Sequence, residues 1–254
     1  MIITSKDNET IKHIKKLKEK KYRDEFNEYI VEGLRLVNEA IKEEVHIKNI
    51  IVCEDYLKDN EIYECNIEKI YVNKIVFDSI TEVKNPQGIL AVIDKGGIDL
   101  NINYNEDVIV VLDNIQDPGN IGTILRTVDS VGLTQIIVSK GSADAYNSKV
   151  IRSTMGAIFR VKIIESENLV ESLKNLQSKG YKVISSILET DKTIYDIDYK
   201  KTIVVVGNEG NGISKDIIEI SNEKVKIPML GKTESLNASV ATGIILYEYV
   251  RQNR

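Results

Sequence analysis

The stretch DVIVVLDNIQDPGNIGTILRTVDSV, residues 107–131, combines a buried strand, a tight turn and an amphipathic helix. Residues 107–113 form a short valine-rich run, which predicts a strand covered on both faces, as in a parallel sheet. The DPGN segment at 117–120 predicts a turn. Asn120 is a candidate N-cap for a helix over 121–131, whose apolar positions recur at intervals of three and four residues. The stretch therefore predicts one βα unit of an α/β fold.

The polar face of the predicted helix carries Arg126, with Thr123 one turn before it and Ser130 one turn after it. The carboxyl end of a strand followed by a helix N-terminus is where open α/β sheets bind ligands and anions. Taken alone, this stretch allows two interpretations. It is either shaped around a ligand, or it is a plain turn followed by a surface arginine.

The alternation of strands and helices continues beyond this unit. Further strands are predicted at 134–140, 181–188 and 202–207, and helices at 145–157, 167–179 and 212–220. Such alternation predicts a sheet with helices on both faces.

The region before the first unit is a smaller α/β module. Strands are predicted at 28–33 and 47–53 with a helix at 34–42, and residues 69–77 and 87–94 are predicted to be extended. The polar, glycine-containing segment that follows is predicted to be a linker. We therefore predict three parts: a first domain at 1–95, a linker at 96–106 and a second domain at 107–254.

Composition favours a soluble globular protein, since 42% of residues are hydrophobic and 29% are charged. No apolar run is long enough for a transmembrane helix, and the N-terminus lacks the features of a secretory signal. Cys53 and Cys65 form no CxxC motif and no disulfide framework. We expect a cytoplasmic protein, no membrane association and no bound metal.

Charge is distributed unevenly along the chain. Residues 1–24 contain eight cations and four anions, a net charge of +4, so the net charge of −5 leaves −9 for the remainder. A basic segment on an acidic chain is a possible phosphate-contacting surface. The alternative is a solvated helix over 7–23 whose lysines cover the buried side chains of Ile11, Ile14 and Leu17.

A second motif, VVVGNEGNGIS at 204–214, places three glycines after a strand. Their spacing is G-x-x-G-x-G, which differs from the G-x-G-x-x-G of dinucleotide sites and argues against a nucleotide-dependent oxidoreductase. Glycines at these positions would let the backbone approach a ligand closely. Glu209 lies in this loop with no evident structural role.

A third motif, KIPMLGKTESLNASVATGIILYEYV, covers 226–250. Its GKT triplet is not a P-loop, because a lysine occupies the position where that motif requires its first glycine. The segment predicts a strand ending at Pro228, a loop, and a helix for which Ser235 and Asn237 are capping candidates. Val240 is among the residues of this helix expected to pack inward.

Together these motifs resemble those of the SpoU family of RNA ribose 2′-O-methyltransferases, in the SPOUT superfamily. N-x-x-DPGN-x-G-x-x-RT appears at 114–127, VGNEG-x-G at 206–212, and IPM-x-G followed by SLN at 227–237. Residues 29–40, YIVEGLRLVNEA, and 85–93, NPQGILAVI, resemble the ribosomal-protein-like substrate-binding domain of the same family. The resemblance implies an α/β fold whose C-terminal segment forms a trefoil knot, an exception to the usual rule against knots.

The resemblance also implies S-adenosyl-L-methionine as cofactor and a homodimer, with the possibility that Arg126 serves the cofactor of the partner copy. The positions that correspond to cofactor-binding residues are Gly207, Ile227, Met229 and Leu236. Backbone recognition of a ligand requires glycines and apolar walls more than charged side chains, in keeping with this composition.

The implied reaction is methylation of a ribose 2′-hydroxyl in RNA. The implied catalytic positions are Arg126, Asn120, Glu209, Ser235 and Asn237. Arginine acts either as the base or, since a guanidinium is normally charged in proteins, by binding phosphate and stabilising the developing alkoxide. The two-domain layout favours 23S ribosomal RNA as substrate. Transfer RNA and a non-catalytic RNA-binding role are the alternatives.

Overall fold

The computed structural model of the protein describes residues 2–57, 62–96 and 101–253. The chain forms two compact units by its internal contacts. The first unit comprises residues 1–99 together with 146–159, and the second comprises residues 100–145 together with 160–254. Of the predicted linker at 96–106, residues 97–100 lie outside the described residues.

The elements are numbered in chain order. The strands are β1 (Ile2–Ile3), β2 (Glu28–Glu32), β3 (Ile47–Val52), β4 (Lys69–Val72), β5 (Ile89–Asp94), β6 (Val108–Asp113), β7 (Gln135–Ser139), β8 (Lys162–Ser166), β9 (Lys182–Ser186), β10 (Thr202–Gly207) and β11 (Glu223–Val225). The helices are α1 (Glu9–Lys16), α2 (Lys20–Phe26), α3 (Leu34–Lys42), α4 (Glu54–Leu57), α5 (Lys74–Ile80), α6 (Pro118–Ser130), α7 (Ser148–Thr154), α8 (Leu169–Ser178), α9 (Lys215–Ile220) and α10 (Ala238–Gln252). Among the described residues, none of these helices has both the length and the apolar character needed to cross a membrane.

The first unit is built on a mixed five-stranded sheet in the order β1-β4-β3-β5-β2. β4 pairs in parallel with β1 and β3, whereas β5 runs antiparallel to both β3 and β2. Ile151 of α7 belongs to the hydrophobic core of this unit and is only 1% exposed. The sequence placed residues 145–157 in the second domain. Residues 146–157 instead belong to the first unit, where Ile151 and the partly buried Tyr146 pack in its core.

Residues 69–77, predicted to be extended, contain the strand β4 followed by the helix α5, so that prediction is wrong for its second half. The side chain of Asn73 accepts a hydrogen bond from the backbone amide of Val76 and caps the helix. Val76, Phe77 and Ile80 of α5 are buried. Their spacing is helical, but it is too short a pattern to distinguish from an apolar strand by sequence.

The basic segment predicted as one helix over 7–23 contains two helices, α1 and α2. The chain turns at 17–19, and Arg23, which is only 5% exposed, donates hydrogen bonds to the carbonyl oxygens of Leu17 and Lys18. An arginine side chain therefore satisfies carbonyl groups at the end of α1. Ile11, Ile14 and Leu17 are buried, so the packing face of this segment is confirmed.

The second unit contains a six-stranded sheet in the order β11-β9-β10-β6-β7-β8. All neighbouring strands in it are parallel. Four of the predicted strands are present as β6, β7, β9 and β10, and the strand predicted to end at Pro228 corresponds to β11, which ends earlier. β8 was not predicted, because it carries a charged residue at its start.

Helices cover this sheet on both faces. Ile109 and Val111 of β6 belong to one core with Leu173 of α8 and Ile217 of α9. Since side chains alternate along a strand, Val110 points to the opposite face, where it is also fully buried. The helices α6 and α10 pack against each other, and α10 also contacts β10. The α/β class predicted for this region is confirmed.

Candidate active site

The turn between β6 and α6 is organised by Asp117. Its side chain accepts a hydrogen bond from the backbone amide of Gly119 at 2.8 Å, and Pro118 is the first helical residue. A proline suits this position because its missing N–H would have no partner in the helix. The predicted N-cap at Asn120 is therefore wrong. Asn120 lies in the first turn of α6, where its side chain is buried and free for a different contact.

The loop after β10 is a small hairpin closed by two backbone hydrogen bonds between Asn208 and Gly212. Gly207 precedes it, and a Cβ atom on this residue would lie 2.3 Å from the carbonyl carbon of Gly212. Glycine is therefore required at this position by the close approach of the returning backbone. This requirement holds whether or not a ligand also contacts the residue.

Glu209, at the tip of this hairpin, holds the turn between β6 and α6. Its Oε1 accepts hydrogen bonds from Asn120 Nδ2 at 2.7 Å and from the amide of Asp117 at 3.2 Å, and its Oε2 accepts one from the amide of Gln116 at 3.2 Å. Desolvation alone would raise the pKa of Glu209, but the hydrogen bonds from Asn120 and the backbone amides lower it below its ordinary value. The carboxylate is thus kept charged.

Asn237 connects this pair to the third motif. Its Nδ2 donates to Asn120 Oδ1 at 2.9 Å, while its own Oδ1 accepts from the amide of Ser239 at 2.9 Å and from that of Val240 at 3.3 Å. Asn237 is therefore the N-cap of α10, as the sequence predicted. Glu209, Asn120 and Asn237, which are separated by 89 and 117 residues along the chain, form one hydrogen-bonded relay.

The direction of every bond in this relay follows from the charge on Glu209. A carboxylate only accepts, so Asn120 presents its NH₂ group to it and its carbonyl oxygen to Asn237. Asn237 then donates through its NH₂ group, which leaves its oxygen to cap α10. One charged residue therefore orients two amide side chains that the sequence assigns to the site.

The relay lies where ligands bind in sheets of this kind. β6 and β10 are neighbours, and the chain leaves the carboxyl end of β6 toward β7 on one side but leaves that of β10 toward β11 on the other. A crevice opens at the carboxyl ends of strands where connections diverge in this way. The three motifs meet at this switch point.

Arg126 and Ser235 are exposed and stay outside the relay. Within residues 2–57, 62–96 and 101–253, neither side chain makes a hydrogen bond or an ion pair with the protein. Arg126 lies on α6, six residues after Asn120, and Ser235 precedes Asn237 by two residues. The guanidinium of Arg126 and the hydroxyl of Ser235 therefore lie close in sequence to the relay, and both are available to bind a ligand.

The segment 227–236 contains the apolar residues predicted to contact the cofactor. Ile227, Met229 and Leu236 are partly buried, and β11 ends at Val225, three residues before the predicted strand end at Pro228. Among the described residues, the backbone of 227–236 forms no hydrogen bond. Partly buried apolar side chains beside unused backbone donors and acceptors suit a ligand that is recognised by main-chain groups.

A groove of about 310 Å³ opens at the carboxyl ends of β6, β7 and β8. None of the nine predicted site residues lines it. Asp113 and Asn114, which do line it, connect it to the second motif. Asp113 Oδ2 accepts a hydrogen bond from the amide of Ser214 at 2.7 Å, and the carbonyl oxygen of Asn114 accepts one from Asn208 Nδ2 at 2.8 Å. The sequence did not indicate a role for Asn208, although this residue is the first of the NEG triplet in the second motif.

Sequence comparison identifies the class of protein that this arrangement defines. Residues 107–247 match the SpoU rRNA Methylase family, and residues 8–91 match the MRM3-like substrate binding domain. The chain belongs to the SpoU rRNA methylase family, which confirms the resemblance found in its motifs.

Individual relatives support the same assignment. The chain is 32% identical to the 23S rRNA (guanosine(2553)-2′-O)-methyltransferase RlmP of Bacillus subtilis, over 96% of this chain and 97% of that protein. It is 37% identical to the 23S rRNA (guanosine-2′-O-)-methyltransferase RlmB of Pseudomonas aeruginosa, over 57% of this chain and 59% of that one. A solved AdoMet-bound rRNA methyltransferase from Sinorhizobium meliloti superposes with a TM-score of 0.86 and 30% identity, covering 99% and 98% of the two chains.

Proposed function

We propose that this protein transfers a methyl group from S-adenosyl-L-methionine to a ribose 2′-hydroxyl of 23S ribosomal RNA. The observation that carries the proposal is the relay of Glu209, Asn120 and Asn237, which joins the three motifs at the switch point of the sheet. The fold and the family assignment place the reaction in this class, and the relay supplies the local geometry.

The cofactor residues are Gly207, Ile227, Met229 and Leu236. The backbone of 227–236 has unused hydrogen-bonding groups and lies beside partly buried apolar side chains. This combination suits the adenosine and methionine parts of the cofactor. When bound, S-adenosyl-L-methionine supplies a methyl group already activated by a positively charged sulfur. The protein therefore needs to align the ribose and to manage the charge that develops on its oxygen.

Arg126 is the residue that stabilises the negative charge developing on the ribose oxygen. An arginine guanidinium remains protonated in proteins and donates in a planar fork, so it binds a phosphate and stabilises a developing alkoxide better than it accepts a proton. Its exposed side chain makes no bond to the described part of the protein, which leaves all its donors for RNA. Ser235 and the relay orient the ribose beside it, and the hydroxyl proton passes to solvent.

Ribosomal RNA is favoured over transfer RNA by the extent of the similarities. The 23S rRNA enzyme RlmP is similar over almost the whole chain, including the first unit. In contrast, the solved A. aeolicus TrmH/SpoU tRNA modifying enzyme covers 58% of this chain, with a TM-score of 0.53. We assign selection of the RNA to the first unit, and a ribosomal substrate supports a cytoplasmic location for the enzyme.

Three finer features belong to the same proposal. The C-terminal segment of the second unit forms the trefoil knot of the family, and the first unit is its ribosomal-protein-like domain. Two copies associate through α10. Val240, which was expected to pack inward, is instead 50% exposed, and Tyr247, seven residues further along the helix, is 54% exposed. Because residues seven apart lie on one side of a helix, they form an apolar face that a second copy would cover. A monomeric mass in sedimentation would contradict the dimer.

The experiment for the activity uses ribosomal RNA from a strain that lacks the gene, the purified protein and tritiated S-adenosyl-L-methionine. A 2′-O-methyl group blocks alkaline cleavage of the adjacent phosphodiester, so the label is expected in alkali-resistant dinucleotides. Label in mononucleotides would indicate base methylation and reject the proposal. Calorimetry with S-adenosyl-L-methionine tests the non-catalytic alternative, for which little or no binding is expected.

A further inference from the structure

The basic N-terminal segment uses its eight cations in different ways. Arg23 and Lys18 support the fold, since Arg23 binds carbonyl oxygens at the end of α1 and Lys18 Nζ donates to those of Ser79 and Thr81. Lys12 forms an ion pair with Glu9 within α1. These charges are therefore partly or wholly committed within the protein.

Two lysines in this segment are exposed and lie over an aromatic ring instead. Lys16 Nζ lies 5.6 Å and Lys21 Nζ lies 5.4 Å from the centroid of the Tyr22 ring. Across the described residues, neither lysine makes an ion pair. The Tyr22 ring is partly exposed and stacks on Phe26, with a centroid distance of 6.1 Å and an interplanar angle of 13°. We refer to Lys16, Lys21 and Tyr22 as the basic-aromatic patch.

We propose that the basic-aromatic patch binds an unpaired stretch of RNA, with a base stacked on Tyr22 and phosphates on Lys16 and Lys21. Single-stranded RNA is recognised by aromatic side chains that stack on its bases and by cations that follow its backbone. This inference rests on the proposed function, to which it adds the residues that select RNA and the preference for unpaired RNA.

The charge distribution supports RNA over an acidic protein as the ligand. The first 24 residues carry +4 on a chain of net charge −5, so phosphate is attracted to this segment while most of the surface repels it. The stacked pair of Tyr22 and Phe26 adds a flat ring surface that suits a nucleobase, whereas lysines alone suit any anion.

A second lysine–tyrosine pair in the same unit provides a matched control. Lys74 Nζ lies 4.5 Å from the ring centroid of Tyr56, but both residues are bound to Asp78: the tyrosine hydroxyl donates to Asp78 Oδ1 at 2.7 Å, and Lys74 forms an ion pair with its Oδ2 at 3.3 Å. The carboxylate neutralises this pair, so it offers no net charge to a phosphate. Its removal should leave RNA affinity unchanged.

The experiment measures binding of the full-length protein to a fluorescent mixed-sequence single-stranded 12-mer RNA and to the duplex of the same sequence. Tyr22→Ala is expected to weaken single-strand binding about tenfold, whereas Tyr22→Phe retains the stack and the affinity. The double variant Lys16→Ala/Lys21→Ala is expected to lower the slope of log affinity against log salt by about 1.4. Lys74→Ala/Asp78→Ala, which removes the ion pair without changing the net charge, and Tyr56→Ala should match the wild type.

Several results would overturn the inference: wild-type RNA affinity in Tyr22→Ala, an equal loss in Tyr56→Ala, or tighter binding of the duplex than of the single strand. Unchanged RNA binding in both patch variants would instead indicate a protein ligand for the patch. These binding measurements do not require turnover, so failure of the proposed methyl transfer would be recognised separately. In an active enzyme, Tyr22→Ala should raise KM for ribosomal RNA while kcat and S-adenosyl-L-methionine affinity stay near wild type.

Discussion

Replacing Glu209 with glutamine tests the relay with a change of one charge and almost no change of shape. Glutamine keeps one acceptor oxygen, which can still receive the Asn120 side chain and the amide of Asp117. Its NH₂ group then replaces Oε2 and meets the amide of Gln116, which is also a donor. The variant therefore loses one hydrogen bond and weakens two.

The size of the effect follows from these three bonds. Hydrogen bonds to a charged group contribute about 1.5–3 kcal/mol each when they are buried, and neutral ones about 1 kcal/mol. Because the side chain of Glu209 is exposed, water replaces part of what is lost. We expect a net cost of about 1–2 kcal/mol for local opening of the turn at 116–120.

The effect depends on pH with a defined sign. The pKa of Glu209 is lowered in the folded protein, so its carboxylate stabilises the fold above the ordinary pKa near 4.5, and this contribution is lost as pH falls through the lowered value. Glutamine does not titrate. The difference between wild type and Glu209→Gln should therefore be constant near pH 7 and disappear in acid.

Hydrogen exchange measures this directly, since the amides of Gln116 and Asp117 are the donors to Glu209. At neutral pH they should exchange about tenfold faster in Glu209→Gln, in line with a loss of about 1.4 kcal/mol. Glu219→Gln is the matched control, because the side chain of Glu219 is exposed on α9 and makes no hydrogen bond or ion pair among the described residues. Wild-type exchange in Glu209→Gln, or equal acceleration in the control, would refute the relay.

Three further predictions concern the site and the two units. Arg126→Lys should lower methyl transfer at least about 100-fold with near-normal S-adenosyl-L-methionine affinity in calorimetry, and wild-type turnover would contradict its role. Gly207→Ala should destabilise the protein by about 1–3 kcal/mol in thermal unfolding, because its Cβ would lie 2.3 Å from Gly212; an unchanged melting temperature would show that the hairpin relaxes freely. Deleting residues 1–95 removes the core around Ile151, so the remainder should aggregate or melt early, and a monodisperse, stable fragment would contradict this assignment of 146–159.

Much of the site was predictable because its motifs are local. The valine-rich runs indicated β6 and β10 and the glycines indicated the hairpin after β10, since each depends on neighbours a few residues away. The capping assignment failed within the same motif. Asp117 and Asn120 are both good N-caps, and the choice between them depended on a long-range contact: Asn120 is held by Glu209, 89 residues further along the chain.

The sequence by itself determined the family, the α/β class of the second unit and the candidate residues, because periodicity, turn chemistry and motif spacing are properties of short segments. Only the tertiary structure decided what those residues touch. Parallel strands β6 and β10 are neighbours through connections that span 88 residues, and no local pattern reports which loops meet at their ends. For that reason Glu209, which had no evident structural role in the sequence, proves to be the charge that orients Asn120 and Asn237.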